Sequence, residues 1–131
     1  MTGAPVHEHL VQLRGSDPDS YGHVNHARAL SLLEDARLAW AADMAPTADG
    51  GQPDVILARL EVDYLRQLYY RAGERLCVRS WITRIGTKSI TMRQELVQDD
   101  QVAIRVDAIC VLFDFATDTA FRMLEFDRQV P

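Results

Sequence analysis

Apolar and polar positions follow two different periods along this chain, and the switches between them predict its elements. The run from His7 to Leu13 is short and alternating, as a first strand would be. Gly15-Ser16-Asp17-Pro18-Asp19-Ser20-Tyr21-Gly22 then interrupts it. These residues favour tight turns, left-handed backbone and capping, so no helix starts before Gly22. From about Asn25 to Ala42, Leu30, Leu33, Ala36 or the stem of Arg37, and Trp40 recur at three- and four-residue spacing, with Arg28, Glu34 and Asp35 between them. That spacing predicts one long helix, with Asn25 as its N-cap.

Beyond the Gly-, Asp- and Pro-rich stretch from Pro46 to Pro53, the pattern changes to runs bounded by turn signals. Strands are expected from Val55 to Tyr64, Leu76 to Ile85, Ser89 to Gln98 and Val102 to Phe115. Gly86-Thr87-Lys88 and Asp99-Asp100 read as hairpin turns. One strand, one long helix and four mostly antiparallel strands make an α+β class. Such strands bury a lone apolar helix by wrapping a curved sheet around it. At 131 residues the chain has the size of a single domain, 1–131, with no repeat or linker.

Charge changes the picture next. The net charge of −5 argues against nucleic acid as a partner, since phosphates call for a basic surface. Its distribution is uneven. From Arg59 to Arg93 eight basic residues face three acidic ones, whereas the rest of the chain has six basic and sixteen acidic residues. A local anion site in an acidic protein is one reading. An Arg-rich solvent face of a strand segment is the other. No apolar run approaches the roughly 18 residues of a membrane span, and Met1 to Val6 lacks the apolar stretch of a secretory signal, so a cytoplasmic location is expected.

The most specific stretch is Asp17-Pro18-Asp19-Ser20-Tyr21-Gly22-His23-Val24-Asn25-His26-Ala27, followed by Leu30, Glu34, Ala36 and Arg37. It resembles the pattern D-x-D-x-x-G-H-V-N-x-A continuing as L-x-x-x-E-x-A-R in the acyl-CoA thioesterase branch of the hotdog superfamily, related to 4-hydroxybenzoyl-CoA thioesterases. Ile85-Gly86-Thr87-Lys88-Ser89-Ile90 is similar to that family's hairpin before its fourth strand. The resemblance implies a hotdog fold, hydrolysis of an acyl-CoA thioester, and Asp19, the second aspartate, as the catalytic carboxylate. It implies an oxyanion donor among the backbone amides near His26 and a supporting role for His23. Two positions depart from the pattern: Ala29 stands where many relatives carry an aromatic residue, and His26 where many carry a second asparagine.

The chemistry asks for the same arrangement. A thioester carbonyl becomes an oxyanion in the transition state, and unsatisfied amides at a helix N-terminus already point donors at such a charge. The same dipole keeps a neighbouring carboxylate ionised, ready to attack or to activate water. Gly22 lets backbone approach a ligand closely. The resemblance, taken together with this chemistry, implies a site of Asp19, His23 and His26 for catalysis, with Gly22, Val24 and Asn25 beside the substrate. If coenzyme A is bound, its phosphates need cations, and Lys88 with Thr87 and Ser89 in the hairpin is the first candidate, then Arg59 and Arg84. A plain turn or capping role is the bland alternative for Asp19.

All four histidines, His7, His9, His23 and His26, lie near the N-terminus beside Asp17 and Asp19. His7 and His9 share a strand face, and His23 and His26 the first helical turn, yet neither pair has a recognised zinc spacing. No metal and no cofactor is expected. Cys77 and Cys110 fall in apolar, strand-like runs and read as packed thiols. The leading reading is an acyl-CoA thioesterase, with a hotdog hydratase or dehydratase, or a non-catalytic acyl-CoA-binding module, as alternatives. A homodimer or homotetramer is expected, because a single sheet over one helix leaves edge strands that want partners.

Overall fold

In the computed structural model, which describes residues 5–44, 54–114 and 119–120, strand β1 (His7–Gln12) leads through a loop into helix α1 (His26–Met44). There follow β2 (Asp54–Tyr64), β3 (Arg75–Ile85), β4 (Ser89–Gln98), β5 (Gln101–Asp114) and the two-residue β6 (Thr119–Ala120). All pairings are antiparallel, in the order β1-β3-β4-β5-β2 with β6 on β5. The helix lies across one face of this curved sheet, which is the hotdog arrangement. Each expected strand is present with its ends moved by a residue or so; Phe115, the expected end of the last one, lies outside the described residues. β6 had no counterpart in the sequence reading.

Alternation decides which face is inner. Val78, Ser80 and Ile82 of β3 and Ile90, Met92, Gln94 and Leu96 of β4 are buried. The register aligns them in rows: Val78 with Leu96 and Ile104, Ser80 with Gln94 and Val106. Against these rows α1 packs Ala29, Leu32, Leu33, Ala36, Trp40 and Ala41. The helix face is thus rotated slightly from the expected one, because alanines as well as leucines fill the contact; Leu30 is only partly buried.

Arg37 departs further, since its whole residue, not only its stem, is buried. Its Nη1 donates to Gln94 Oε1 at 3.0 Å, while Gln94 Nε2 donates to the Leu33 carbonyl and to Ser80 Oγ, both at 3.1 Å. Helix and sheet centre are therefore joined by a polar bracket within the core. Burial pushes the Arg37 guanidinium below its ordinary range, with the opposing influence of Cys110 and Glu34 smaller.

The opposite face accounts for much of the basic stretch. Cross-strand register places Glu8, Arg79, Glu95, Arg105 and Asp63 in one row of alternating sign over all five long strands. Arg79 and Arg105 both reach Glu95, at 3.1 and 3.5 Å, and Arg93 pairs with Asp107 at 2.9 Å. The solvent-face reading of those arginines is the one this geometry supports.

Candidate active site

The loop between β1 and α1 is built around two aspartates with different tasks. Asp17 is fully buried. Its Oδ2 accepts the Arg14 amide at 2.7 Å and its carbonyl accepts the Asn25 amide at 2.8 Å, which draws the two ends of the loop together. Asp19 is half-buried; its Oδ1 accepts the amides of Tyr21 at 2.8 Å and His23 at 3.0 Å. Oδ2 takes neither of those bonds. Gly22 completes the turn at φ +81°, a backbone state that costs an L side chain on the order of 1–2 kcal/mol.

Asn25 caps the helix as expected. Its Oδ1 accepts Ala27 N–H at 2.9 Å and Arg28 N–H at 3.4 Å, and its carbonyl accepts Ala29 N–H at 2.9 Å. Those bonds satisfy the second and third amides of α1. The first, on His26, has no acceptor among the described residues.

A second segment holds the loop from the side. Val24 N–H donates to the Leu68 carbonyl at 2.8 Å and Tyr70 N–H to the Gly22 carbonyl at 3.0 Å, a short ladder in which His23 faces Tyr69. The rings of His23 and Tyr69 meet edge-on with centroids 5.3 Å apart, and those of His26 and Tyr64 at 6.2 Å. Between loop, helix start and the end of β2 lies a hollow of about 730 Å³. Asp19, His23, Val24 and His26 line it, together with Tyr64 and Arg66.

The structure thus brings Asp19, Gly22, His23, Val24, Asn25 and His26 to one place. It sets the remaining expected residues elsewhere in the same chain. Arg59 and Arg84 line a separate hollow of about 320 Å³ on the outer sheet face, where Arg59 also pairs with Glu61 at 2.6 Å. Thr87, Lys88 and Ser89 belong to the β3–β4 hairpin, at the far end of the eleven residues of β3, roughly 30 Å from the loop at ~3.3 Å per residue. The 65–68 wall of the hollow was not anticipated. One signal was available: three of the chain's four tyrosines, Tyr64, Tyr69 and Tyr70, crowd into seven residues.

Of the histidines, His7 leans away from this site, with Nε2 2.8 Å from Asp43 Oδ2 near the end of α1 and its ring 6.5 Å from that of His9. Among the described residues no three His, Cys, Asp or Glu side chains are grouped to hold a metal ion. Cys77 and Cys110 are free thiols, and burial pushes both up, away from the reactive thiolate. Among the described residues no helix is long and apolar enough to cross a membrane.

Residues 21–104, more than half of the chain, match the model of the thioesterase superfamily. The chain belongs to that superfamily. Among solved structures, it is similar to a thioesterase from Thermus thermophilus complexed with coenzyme A and Zn, at 28% identity and TM-score 0.75, covering 96% of this chain and 99% of that one. It is also similar to a predicted thioesterase from Bacillus stearothermophilus, at 25% identity and TM-score 0.76, covering 97% and 98%. The uncharacterized protein YsmA of Bacillus subtilis is 26% identical over 82 residues, 63% of this chain, and the chain spans about half, 54%, of that curated relative's length.

Proposed function

We propose that this member of the thioesterase superfamily is an acyl-CoA thioesterase, splitting an acyl-CoA into a free acid and coenzyme A. The observation that carries the reading is that Asp19, with one carboxylate oxygen outside its turn, and His26, with a helix-start amide that has no acceptor among the described residues, line one hollow. As general base, Asp19 takes a proton from water while the water oxygen bonds to the thioester carbonyl carbon. The carbonyl oxygen becomes an oxyanion, which the His26 amide and the α1 dipole stabilise. Collapse of that intermediate breaks the C–S bond, and the thiolate leaves with a proton from the Asp19 carboxyl. As nucleophile, Asp19 would bond to the carbon itself and break the C–S bond, expelling the thiolate and leaving an anhydride; water opens that anhydride to the free acid and the Asp19 carboxylate, and the released proton goes to the thiolate. Both routes need the same carboxylate and the same amide. The His23 ring, fixed against Tyr69, walls the site, and no cofactor is called on.

A site able to hold coenzyme A needs cations that one chain keeps at its far end. Pairing β2 with a second copy of β2 about a two-fold axis supplies them. β2 is an eleven-residue edge strand without proline, and its flank exposes Ile56, Leu57 and, from α1, Leu38. Antiparallel pairing sets the start of one β2 beside the end of the other, so the second copy's β3–β4 hairpin, with Lys88, arrives near the first copy's Asp19. The reading is a homodimer with composite sites, or a tetramer of such pairs, each chain a single hotdog unit working in the cytoplasm. Among the described residues, Arg66 is the only lysine or arginine that lines the Asp19 hollow of its own chain.

Release of free thiol from a panel of acyl-CoAs tests the activity directly. Turnover by the wild-type chain that Asp19→Asn abolishes is the expected result. Tight acyl-CoA binding with no thiol release would instead make the chain a binding module, and hydration of an enoyl-CoA would make it a hydratase.

A further inference from the structure

The Asp19 loop, closed by its own internal hydrogen bonds, is also held from outside. Its outer hydrogen bonds run to the 68–70 segment, which belongs to no strand of the sheet and must itself be anchored. In the ladder that joins the two, Leu68 and Tyr70 face the loop, so the Tyr69 amide and carbonyl point the other way. Both are taken by one side chain. Gln98, at the end of β4 and 7% exposed, accepts the Tyr69 N–H at Oε1 (2.9 Å) and donates from Nε2 to the Tyr69 carbonyl (2.9 Å). The same Nε2 donates to Glu74 Oε2 at 3.1 Å. The amide thus does for Tyr69 what a neighbouring strand would do, and it satisfies two backbone groups that are costly to bury unpaired.

The next residue reinforces the anchor. Asp99 accepts two bonds from Arg71, at 2.8 and 2.9 Å, in the bidentate geometry that fixes direction as well as distance. The β4–β5 turn therefore grips the 69–74 connection at Tyr69 and at Arg71. From Gln98 the connection to the chemistry is short: Tyr69 backbone, then the Gly22–Val24 ladder, then the His23 amide on Asp19 Oδ1.

We propose that Gln98 is a positioning residue for the Asp19 carboxylate, acting through the Tyr69 backbone and the Gly22–Val24 ladder. The inference rests on Asp19 being the catalytic carboxylate. Gln98 itself is not among the residues that line the Asp19 hollow. A carboxylate displaced by about 1 Å can lose on the order of a hundredfold in rate while substrate still binds.

Three measurements on the full chain test this. Gln98→Met keeps the length and apolar stem but makes neither bond. Its kcat with the best acyl-CoA should fall at least tenfold with KM within twofold of wild type, whereas a general loosening of the fold would raise KM as well. Gln98→Glu gives a second readout. As a carboxylate beside Glu74 it can accept from Tyr69 but not donate; protonated, it can do both. The ratio of its kcat to that of wild type should therefore rise as pH falls from 8 to 6, which a purely steric defect would not produce. The third measurement needs no activity. Amide hydrogen exchange in Gln98→Met should accelerate at Val24 and Tyr70 while central β4 and β5 amides keep their protection. Unchanged exchange at Val24 and Tyr70, or a folded Gln98→Met with wild-type kcat, overturns the proposal. If Asp19→Asn keeps its turnover while those two amides do accelerate in Gln98→Met, the clamp stands and the assignment of Asp19 is what fails.

Discussion

Asp17 and Asp19 stand two residues apart and are held in opposite ways: Asp17 is sealed in the protein, its Oδ2 on the Arg14 amide, whereas Asp19 anchors one oxygen to the Tyr21 and His23 amides beside an open hollow. The first aspartate closes the loop, and the second lines the hollow proposed to take the substrate. Asp19→Asn retains an oxygen for the two amides, so it should fold normally and lose at least the roughly hundredfold to ten-thousandfold of a positioned acid–base group. Asp17→Asn places an amide where an oxygen lies 3.5 Å from Arg14 Nη2, losing a charge-assisted contact in a buried setting. It should lower the melting temperature and spare more of the turnover per folded molecule. Steady-state rates corrected for folded fraction by circular dichroism separate the two effects, and the reverse pattern would exchange the roles given to these aspartates.

Gly22→Ala probes the same turn without touching a charge. Among the described residues beyond its two chain neighbours, no heavy atom lies within 4 Å of the position an added Cβ would take, so the cost is that of φ +81°, on the order of 1–2 kcal/mol. If the loop relieves that strain by shifting, the Asp19–His23 bond shifts with it. We expect a small loss of stability in urea denaturation and a larger loss of kcat. A stability loss with wild-type kcat would show that the loop tolerates the movement.

The legible parts of this fold were those fixed by local pattern. Strand ends followed from alternation and from the turns at Gly86 and at Asp99-Asp100, both of whose aspartates take positive φ, 53° and 60°, as a two-residue hairpin demands. The Asn25 cap and the Asp19 loop were legible because their bonds span two to four residues. Contacts across long stretches of sequence were not. Arg37 reads as a snorkelling surface residue until Gln94, 57 positions away, is seen to receive its guanidinium. Gln98 carries no signal of its grip on Tyr69, since a glutamine at a strand end is ordinary by composition. For Lys88 the residue type suits an anion, but it is strand direction, which the pattern of residues does not carry, that sets it at the end of the sheet away from its own Asp19.

Gln94→Leu tests the buried bracket. The substitution preserves volume but strands the Arg37 guanidinium in a place where burial already disfavours its charge. Uncompensated buried charges typically cost about 3–5 kcal/mol, which for a chain of this size is a fall of roughly 10 °C or more in melting temperature. The double variant Arg37→Met with Gln94→Leu removes the charge along with its acceptor and should recover much of that loss. Calorimetry of the two variants decides it, and equal melting temperatures would mean that Arg37 finds other solvation.

The composite site makes the most demanding prediction, because it requires that two defective chains cure one another. Asp19→Asn lacks the carboxylate, and Lys88→Glu reverses the charge proposed to meet the coenzyme A phosphates. Alone, the first should be nearly inactive. The second should show a raised KM for acyl-CoA but not for short thioesters without the nucleotide, and the difference should shrink in high salt as the phosphate interaction is screened. In a mixed dimer, the Asp19 of the Lys88→Glu chain faces the Lys88 of the Asp19→Asn chain. One of the two sites is then wild type in both contributions. Random exchange puts about half of the chains in such dimers, so roughly a quarter of wild-type sites should return at acyl-CoA concentrations where either parent alone is weak. Exchange is followed independently with differently tagged chains by native mass spectrometry. Verified mixed dimers whose activity equals the mean of the parents would place Asp19 and Lys88 in separate functions, and a monomer by light scattering with full activity would remove the shared site altogether.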